Sequence, residues 1–276
     1  MKALLLAEFF KLFRQSRTYF ALAAIFIIEA IVFVSAYYQG SNIIDILLEN
    51  LKQSFYFEGE LLNANLLIYL VLNTLWFHLP LILMIVVSGI LTSEYKDGTI
   101  QTVMLQPVSK RKFILSKYIV AIVFTLVVVL LLALTSYIFS YAIFGNGDLI
   151  VYLDTLNFFT ADEAIYRLSW AFALGAISMV FFSVVSLTIA VIFKEAAKTW
   201  IIAAFFLIIS NLLLKVDFGN NWFNRLFFAK LNDTWQYLFV NEINWTYIFN
   251  SSMLLIVYSI AFIGIGVFIF NRRDVG

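Results

Sequence analysis

The side chains that could carry out chemistry in this sequence are few, and they lie within long apolar runs. The one histidine is His78, and the chain contains no cysteine. A zinc motif or a thiolate site is therefore excluded. A serine–histidine dyad with Ser178, Ser183 or Ser186 is formally possible, although small polar residues in membrane helices usually serve helix packing. We predict no catalytic residue and no metal site, and we interpret His78 as structural or as a weak marker of a substrate path.

Glu29 is an acidic residue in the middle of an apolar run. A charge at bilayer depth is costly, so the carboxyl group must be protonated, paired inside the protein or exposed to a wet cavity. Glu29 is therefore a second weak candidate for a substrate path. A structural hydrogen bond explains it equally well.

The composition indicates a membrane protein. Of 276 residues, 63% are hydrophobic and 13% are charged, whereas soluble domains have about 45–50% apolar and about 25% charged residues. Runs of about 18 or more apolar residues predict spanning helices. We predict an all-α, polytopic fold with six transmembrane helices at Tyr19–Tyr38, Leu66–Leu91, Phe113–Phe144, Leu168–Phe193, Thr199–Leu214 and Ile248–Phe270.

Charge distribution predicts the orientation of these helices. Most lysine and arginine residues lie in segments that share one side if both termini are cytoplasmic, whereas most acidic residues lie on the other side. This asymmetry follows the positive-inside rule. We therefore predict a multi-pass protein with both termini in the cytoplasm.

A charged segment, SEYKDGTIQTVMLQPVSKRKFILSK (Ser93–Lys117), separates the second and third predicted spans. Asp97-Gly98 is a turn signal, and Thr99 is predicted to cap a short helix over Ile100–Gln106. Pro107 ends that helix, because the residue before a proline is disfavoured in helical geometry. The segment is thus a short intracellular loop, 92–112, with its own helix.

Three basic residues, Lys110, Arg111 and Lys112, are predicted to open the third spanning helix. They lie near the positive end of the helix dipole, which is locally unfavourable. Anionic lipid headgroups or an acidic partner surface would compensate for this. A solvated loop with no partner remains the simpler alternative.

Residues 1–17 predict an amphipathic helix at the membrane surface. Apolar residues recur at Leu5, Phe9, Leu12 and Phe13, and polar residues occupy the remaining faces. The helix is either a simple anchor or a contact for a cytoplasmic partner. A cleaved signal sequence is the less favoured alternative, because the following apolar run is longer than a typical signal core.

The segment 215–247, between the fifth and sixth spans, carries Trp222, Trp235 and Trp245 among several phenylalanines. Amphipathic aromatic residues concentrate at membrane boundaries. We predict short helices that lie on or dip into the outer leaflet. They form either a structural belt or a cap over an export path.

The ordered set Glu94, Gly98-Thr99, Pro107-Val108-Ser109 and Lys117 resembles the inner loop of ABC-2 type transporter permeases. The amphipathic N-terminus and the closing FNRRDVG also resemble that family. The resemblance covers the layout of the whole chain, but its motif is confined to Ser93–Lys117. With its small outer loops, the chain resembles the compact six-span members of this family, which are found in the cytoplasmic membrane of bacteria.

The resemblance implies a role for each matching residue. The loop would be a coupling helix that docks on a cytoplasmic ATPase, and residues 1–17 would be an interface helix beside it. The coupling residues would be Glu94, Gly98, Thr99, Ile100, Met104, Pro107 and Ser109. The interface residues would be Leu5, Phe9, Leu12 and Phe13.

The same resemblance implies the partners. The chain has no phosphate-binding loop, so ATP and Mg would be bound by two separate ATPase subunits. A second permease subunit, alike or different, would complete the transporter in the lipid bilayer, and no nucleic acid is implied. The cargo would be an amphipathic peptide, drug or lipid-like molecule. A non-transporting immunity or sensor subunit is the alternative, and an intramembrane enzyme is less favoured.

Overall fold

The computed structural model describes residues 2–52, 62–153, 155–214, 216, 219 and 221–273, with backbone only at 41–52 and 221–223. These residues are mainly helical. The helices are α1 (Lys2–Arg14), α2 (Ser16–Lys52), α3 (Ala64–Lys96), α4 (Thr99–Met104), α5 (Lys110–Phe144), α6 (Ala161–Phe193), α7 (Ala196–Leu214), α8 (Asn221–Leu226), α9 (Phe228–Leu231), a 3-10 helix (Thr234–Phe239) and α10 (Trp245–Arg272). The strands are β1 (Leu149–Leu153) and β2 (Thr155–Phe159).

Six of the helices in the described part of the chain are long and apolar enough to cross a membrane: α2 over Ser16–Gly40, α3, α5, α6, α7 and α10. The predicted polytopic helical fold is confirmed. Most observed helices extend beyond the predicted apolar cores. Helix α6, for example, starts at Ala161, because the acidic residues Asp162 and Glu163 in its first turn complement the positive end of the helix dipole.

Helix α6 is at the centre of the bundle and packs against α3, α5, α7 and α10. Its serines make contacts between elements. Ser183 Oγ lies 2.7 Å from Thr125 Oγ1 on α5, and Ser186 Oγ donates to the Met84 carbonyl on α3 at 2.6 Å. Such short polar contacts hold apolar helices together where water is absent.

A β-hairpin between α5 and α6 was not predicted. Its strands pair antiparallel, from Leu149 opposite Phe159 to Leu153 opposite Thr155. The loop before it is attached to α3, because Asn63 and Asn65 donate to the carbonyls of Asp148 and Gly147, both at 2.7 Å. Each strand has only five residues. The alternation of apolar and polar residues is therefore too short to be recognised in the sequence next to such long apolar helices. We refer to this side of the bundle as the hairpin end, and to the side with α1 and α4 as the α4 end.

The residues from α8 to the start of α10 (221–244, the re-entrant segment) enter the bundle from the hairpin end. Ser178 Oγ, halfway along α6, donates to the Asn232 carbonyl at 3.2 Å, and Tyr258 OH, halfway along α10, donates to the Leu226 carbonyl at 2.7 Å. Residues 215, 217, 218 and 220 of the predicted segment lie outside the described residues. The segment therefore dips between the helices, one of the two arrangements predicted for it.

Aromatic packing and one arginine hold the re-entrant segment. Trp235 is buried, with its ring 4.9 Å from that of Trp76, so its side chain serves packing inside the bundle. Arg167 of α6 donates to the carbonyls of Leu238, Val240 and Asn241. These bonds join the end of the 3-10 helix to α6.

Candidate functional site

The loop at the α4 end contains the predicted short helix, displaced toward the N-terminus. Gly98 precedes α4 with φ of 66°, a left-handed conformation that glycine adopts without steric cost. Thr99 is already the first helical residue, so the prediction that it caps the helix is wrong. Helix α4 ends at Met104, before exposed Pro107, and Ser109 caps α5 by accepting from Lys112 N at 3.4 Å.

One face of α4 is anchored and the other is open. Ile100 is buried in the main core, and Val103 and Met104 pack against that core. Leu105, directly after the helix, is 88% exposed. The sequence motif did not single out Leu105, because an apolar residue in a short loop has no periodicity that would indicate its direction.

Beneath α4 lies a buried ionic cluster of two lysines and two glutamates, which we call the Lys117 cluster. Lys117 Nζ on α5 lies 2.8 Å from Glu8 Oε2 on α1 and 2.9 Å from Glu94 Oε2 at the end of α3. Lys11 Nζ on α1 lies 3.0 Å from Glu8 and 2.8 Å from Glu94. The Lys117 side chain is fully buried, as are nearly all of both carboxylates.

The cluster corrects the predicted orientation of the interface helix. Glu8 is outside the apolar repeat of α1, yet its side chain points into the protein because Lys117 provides a buried partner. Leu12 is buried and Leu5 and Phe9 are half-buried, as a core-facing surface requires, whereas Phe13 is 44% exposed. The exposed apolar residues of α1 are Leu6, Phe10 and Phe13.

Lys117 was recognised as part of the family motif but not as the centre of a site. The available signal was its position within the first turns of an apolar helix, where an ionisable residue is costly unless it is paired. Its partner Glu8 lies 109 positions away in the sequence. No local pattern identifies such a pair.

The Lys117 cluster perturbs the acid–base behaviour of its two members on α1. Burial alone raises the pKa of Glu8, but the charges of Lys117 and Lys11 and their hydrogen bonds outweigh it, so the pKa lies below the ordinary 4.5. Burial lowers the pKa of Lys11, but hydrogen bonding to Glu94 and attraction to both carboxylates outweigh it, so the pKa lies above 10.5. Both shifts favour the charged forms.

Arg17, at the start of α2, strengthens the connection to α3. Its guanidinium donates to the Gly89 carbonyl at 2.5 Å and to Ser93 Oγ at 3.4 Å. A Cβ atom at Gly89 would lie 1.9 Å from Arg17 Nη1. Glycine is therefore required at position 89 for the arginine to approach α3.

A groove of about 500 Å³ separates α1 from α4 above the Lys117 cluster. The ion-paired residues Glu8, Lys11 and Glu94 line one side, and Thr99, Thr102 and Val103 line the other. The groove therefore combines apolar walls with both signs of charge.

The C-terminal residues close the same end of the bundle. Arg273 donates to the carbonyls of Val191 and Ile192 at 2.9 and 2.7 Å, which satisfies the last turn of α6. Lys110 Nζ donates to the Arg273 carbonyl at 2.8 Å. Asp274 of the predicted family ending lies outside the described residues.

The two weak candidates for a substrate path have different surroundings. Glu29 is buried and accepts hydrogen bonds from Ser136 at 2.6 Å and Thr135 at 2.9 Å, both on α5. His78 is exposed on α3, with Nδ1 2.8 Å from the Thr74 carbonyl. The structure does not bring them together, since Glu29 joins α2 to α5 inside the bundle while His78 faces outward.

An aromatic cavity of about 340 Å³ lies beside the re-entrant segment. It is lined by Phe181, Phe206, Leu226, Phe227, Phe228, Tyr258 and Phe262. Its size falls within the range of pockets for small organic molecules. Its walls suit an apolar group.

These features define a multi-pass membrane protein in which an exposed loop helix lies across a groove from an N-terminal helix that buried ion pairs hold in place. The chain belongs to the family described as "Protein of unknown function (DUF2705)", whose model matches residues 32–276. The matched range includes Glu94, α4 and Lys117, whereas Glu8 and Lys11 precede it.

The chain is also similar to the "Uncharacterized protein YhcI" of Bacillus subtilis (strain 168). The two are 23% identical over 206 residues, which represent 69% of this chain and 63% of that protein. The chain thus spans less than two thirds of the length of this relative.

Replacing the central lysine tests the Lys117 cluster. Lys117→Met should lower the free energy of unfolding by about 3–5 kcal/mol, because two carboxylates would remain buried without their main partner. Lys11→Met should cost less, since the Lys11 side chain is 44% exposed. Thermal unfolding in detergent would measure the loss of stability in each variant. Adding Glu8→Gln to Lys117→Met should restore part of the stability lost in Lys117→Met. Equal losses in the two single variants would contradict this account.

Stability should also depend on pH through Glu8. The pKa is lower in the folded than in the unfolded state, so Glu8 stabilises the fold above pH 4.5 and loses this contribution as the pH falls through the folded value. Unfolding midpoints measured from pH 7 to pH 3 should fall less steeply in Glu8→Gln below pH 4.5. As a control, Glu195→Gln should leave the profile unchanged, because the Glu195–Lys198 pair is exposed. Identical profiles for Glu8→Gln and the parent would refute the prediction.

Proposed function

We propose that the chain is the membrane-spanning permease subunit of an ATP-driven ABC exporter. Separate ATPase subunits bind and hydrolyse ATP with Mg, and the permease moves an amphipathic or apolar cargo outward. The observation that carries the proposal is the mounting of α4. The exposed helix, with Leu105 protruding directly after it, continues from α3 and lies across the groove from α1, and the Lys117 cluster joins α1, α3 and α5.

This arrangement suits the transmission of force. Separating Lys117 from Glu8 or Glu94 would remove a direct partner from two buried charges, and breaking a buried ion pair typically costs several kcal/mol. Helices α1, α3 and α5 therefore move together at the α4 end when a partner displaces α4. Movement of these helix ends would transmit the effect of ATP binding to the spans and reorient them.

The groove between α1 and α4 supports docking of a partner protein. A projecting side chain of the ATPase would enter between the two helices, with Leu105 and the exposed residues of α4 around it. Specificity would come from the half-exposed Lys11 and from Asp97 at the rim, since charges at an interface rim mainly govern the choice of partner. Two such ATPases would serve two permease subunits.

The proposal places the α4 end in the cytoplasm of a bacterial cell, with the hairpin end outside its cytoplasmic membrane. Lys110, Arg111, Lys112 and the closing Arg272-Arg273 lie at the α4 end. Clustered basic residues favour the cytoplasmic side and its anionic lipids. Both termini would then be cytoplasmic.

A polar stripe on α3 supports a second permease subunit. Asn73, Thr74 and His78 are exposed on this helix within a span. Polar side chains at bilayer depth usually face a bundle interior or a wet cavity rather than lipid. A second permease subunit, against this stripe, would provide that interior and would bring His78 to the substrate path.

The aromatic cavity supports an apolar or amphipathic cargo. Phenylalanine walls provide apolar contact, and Tyr258 contributes the hydroxyl group that holds Leu226. The re-entrant segment, which forms one wall, would have to shift for cargo to leave at the hairpin end.

Docking is tested by substituting the exposed leucine. Leu105→Asp should preserve folding, because the side chain is 88% exposed, but should remove ATPase binding. The measurement is affinity purification of the tagged chain in mild detergent, with partners identified by mass spectrometry. The parent should co-purify with a protein carrying a Walker A loop.

Tyr152→Asp is the matched control, because Tyr152 is 63% exposed at the hairpin end. This variant should retain the ATPase. A parent chain that purifies alone, even after crosslinking with nucleotide, would overturn the proposal and favour a non-transporting sensor or immunity subunit.

The presence of a second subunit is tested by cysteine crosslinking. An introduced cysteine would be the only one in the chain, because the natural sequence contains none. If two copies of the chain pair through α3, Thr74→Cys should form a disulfide-linked dimer in membranes after mild oxidation. Ile138→Cys, 62% exposed on α5, should remain monomeric. If a different permease covers the stripe, Thr74→Cys should instead crosslink to that protein with a bifunctional reagent. Absence of both products would argue against a subunit on this face.

A further inference from the structure

A second polar cavity lies where the re-entrant segment meets α7, away from the α4 end. Four oxygen-bearing side chains line it: Ser210 and Asn211 of α7, and Asn232 and Asp233 between α9 and the 3-10 helix. Its other walls are apolar, with Trp76, Phe182 and Leu207 among them. The cavity has no role in the proposed coupling.

The hydrogen-bond donors of these side chains are already used by backbone carbonyls, so the groups that remain available to the cavity are oxygen acceptors. Asn211 Nδ2 donates to the Leu207 carbonyl at 3.0 Å, and Asn232 Nδ2 donates to the Phe228 carbonyl at 3.1 Å. Because a carbonyl accepts only from nitrogen, these contacts define which amide atom is oxygen. The Ser210 hydroxyl donates to the Phe206 carbonyl at 2.6 Å. All of these donors are directed at backbone carbonyls within the same helix or turn.

One of the remaining oxygens has no hydrogen-bond partner, and the carboxylate beside it has no cationic partner among the described residues. Asn232 is 94% buried, given its 6% exposure, and its Oδ1 has no hydrogen-bond partner. Asp233 forms no ion pair with any described lysine or arginine. The Trp235 indole N–H approaches the carboxylate without the geometry of a full hydrogen bond. Buried acceptors without a partner are costly, so a bound species should supply the missing positive charge.

The size of the cavity limits that species to a single small ion. Its volume of about 10 Å³ is at the lower limit for one water molecule. A bare Na⁺ ion is smaller than water, and it is coordinated by oxygen atoms alone. An organic ammonium group with attached carbon atoms would not fit.

The helical backbone is also interrupted beside the cavity. Helix α9 ends at Leu231, directly before Asn232 and Asp233, within the bundle. Interrupted helices at membrane depth commonly bind Na⁺ through exposed oxygens and the negative ends of short helices.

We propose that Ser210, Asn211, Asn232 and Asp233 form a Na⁺ site that fastens the re-entrant segment to α7. The ion neutralises Asp233 and satisfies the Asn232 amide oxygen. Its loss leaves the Asp233 carboxylate facing the dipolar amide and hydroxyl oxygens without a counter-ion, which favours movement of the segment away from α7. The site is independent of ATPase docking and stands or falls separately from the proposed function.

The test is thermal unfolding of the purified full-length chain in detergent, with NaCl replacing choline chloride at constant ionic strength. The midpoint should rise saturably with Na⁺, on the order of 3–5 °C at a tenfold excess over the dissociation constant. KCl should raise it less, because K⁺ is larger. Binding of radioactive ²²Na⁺ should saturate over the same concentrations.

Asp233→Asn should abolish both responses, and the exposed Glu242→Gln should retain them. If Asp233→Asn does not fold, Ser210→Ala removes one ligand oxygen and should increase the half-saturating Na⁺ concentration severalfold. A midpoint equal in choline, K⁺ and Na⁺ would overturn the proposal and indicate that the cavity holds water at most. An unchanged Na⁺ response in Asp233→Asn or Ser210→Ala would overturn it as well.

Discussion

The arrangement of the α4 end depends on the burial of one lysine. Lys117 has no solvent exposure and is held between Glu8 and Glu94, so three helices must meet at one point for its charge to be balanced. A buried ion pair contributes little to stability compared with apolar packing, but breaking one by removing a partner is costly. The cluster therefore specifies the position of α1 more than it strengthens the fold.

The neighbouring contacts enforce the same geometry from other directions. Arg17 reaches α3 only because Gly89 leaves space for it, and Thr18 Oγ1 donates to the Leu12 carbonyl at 2.7 Å across the break between α1 and α2. Ile100 inserts the base of α4 into the core. The loop helix is consequently attached to the core through one face, and its opposite face and Leu105 remain exposed.

The two ends of the bundle are built on different principles. Ion pairs hold the α4 end, whereas aromatic packing, the Arg167 hydrogen bonds and a small oxygen-lined cavity hold the re-entrant segment at the hairpin end. Both ends therefore contain a buried cationic side chain, and they differ in its partners: carboxylates for Lys117 at the α4 end and mainly backbone carbonyls for Arg167 at the hairpin end.

The amino-acid sequence by itself determined the helical membrane fold, the six spans and the turn at Gly98, because apolar length and glycine geometry are local properties. Glu94 and Lys117 were indicated only by the resemblance of their loop to that of a known family. Only the tertiary structure decided that Glu8 faces inward, that Phe13 and Leu105 face outward and that Asn232 and Asp233 meet α7. These outcomes depend on partners from distant segments, and helical periodicity alone does not distinguish a buried ion pair from a solvated charge.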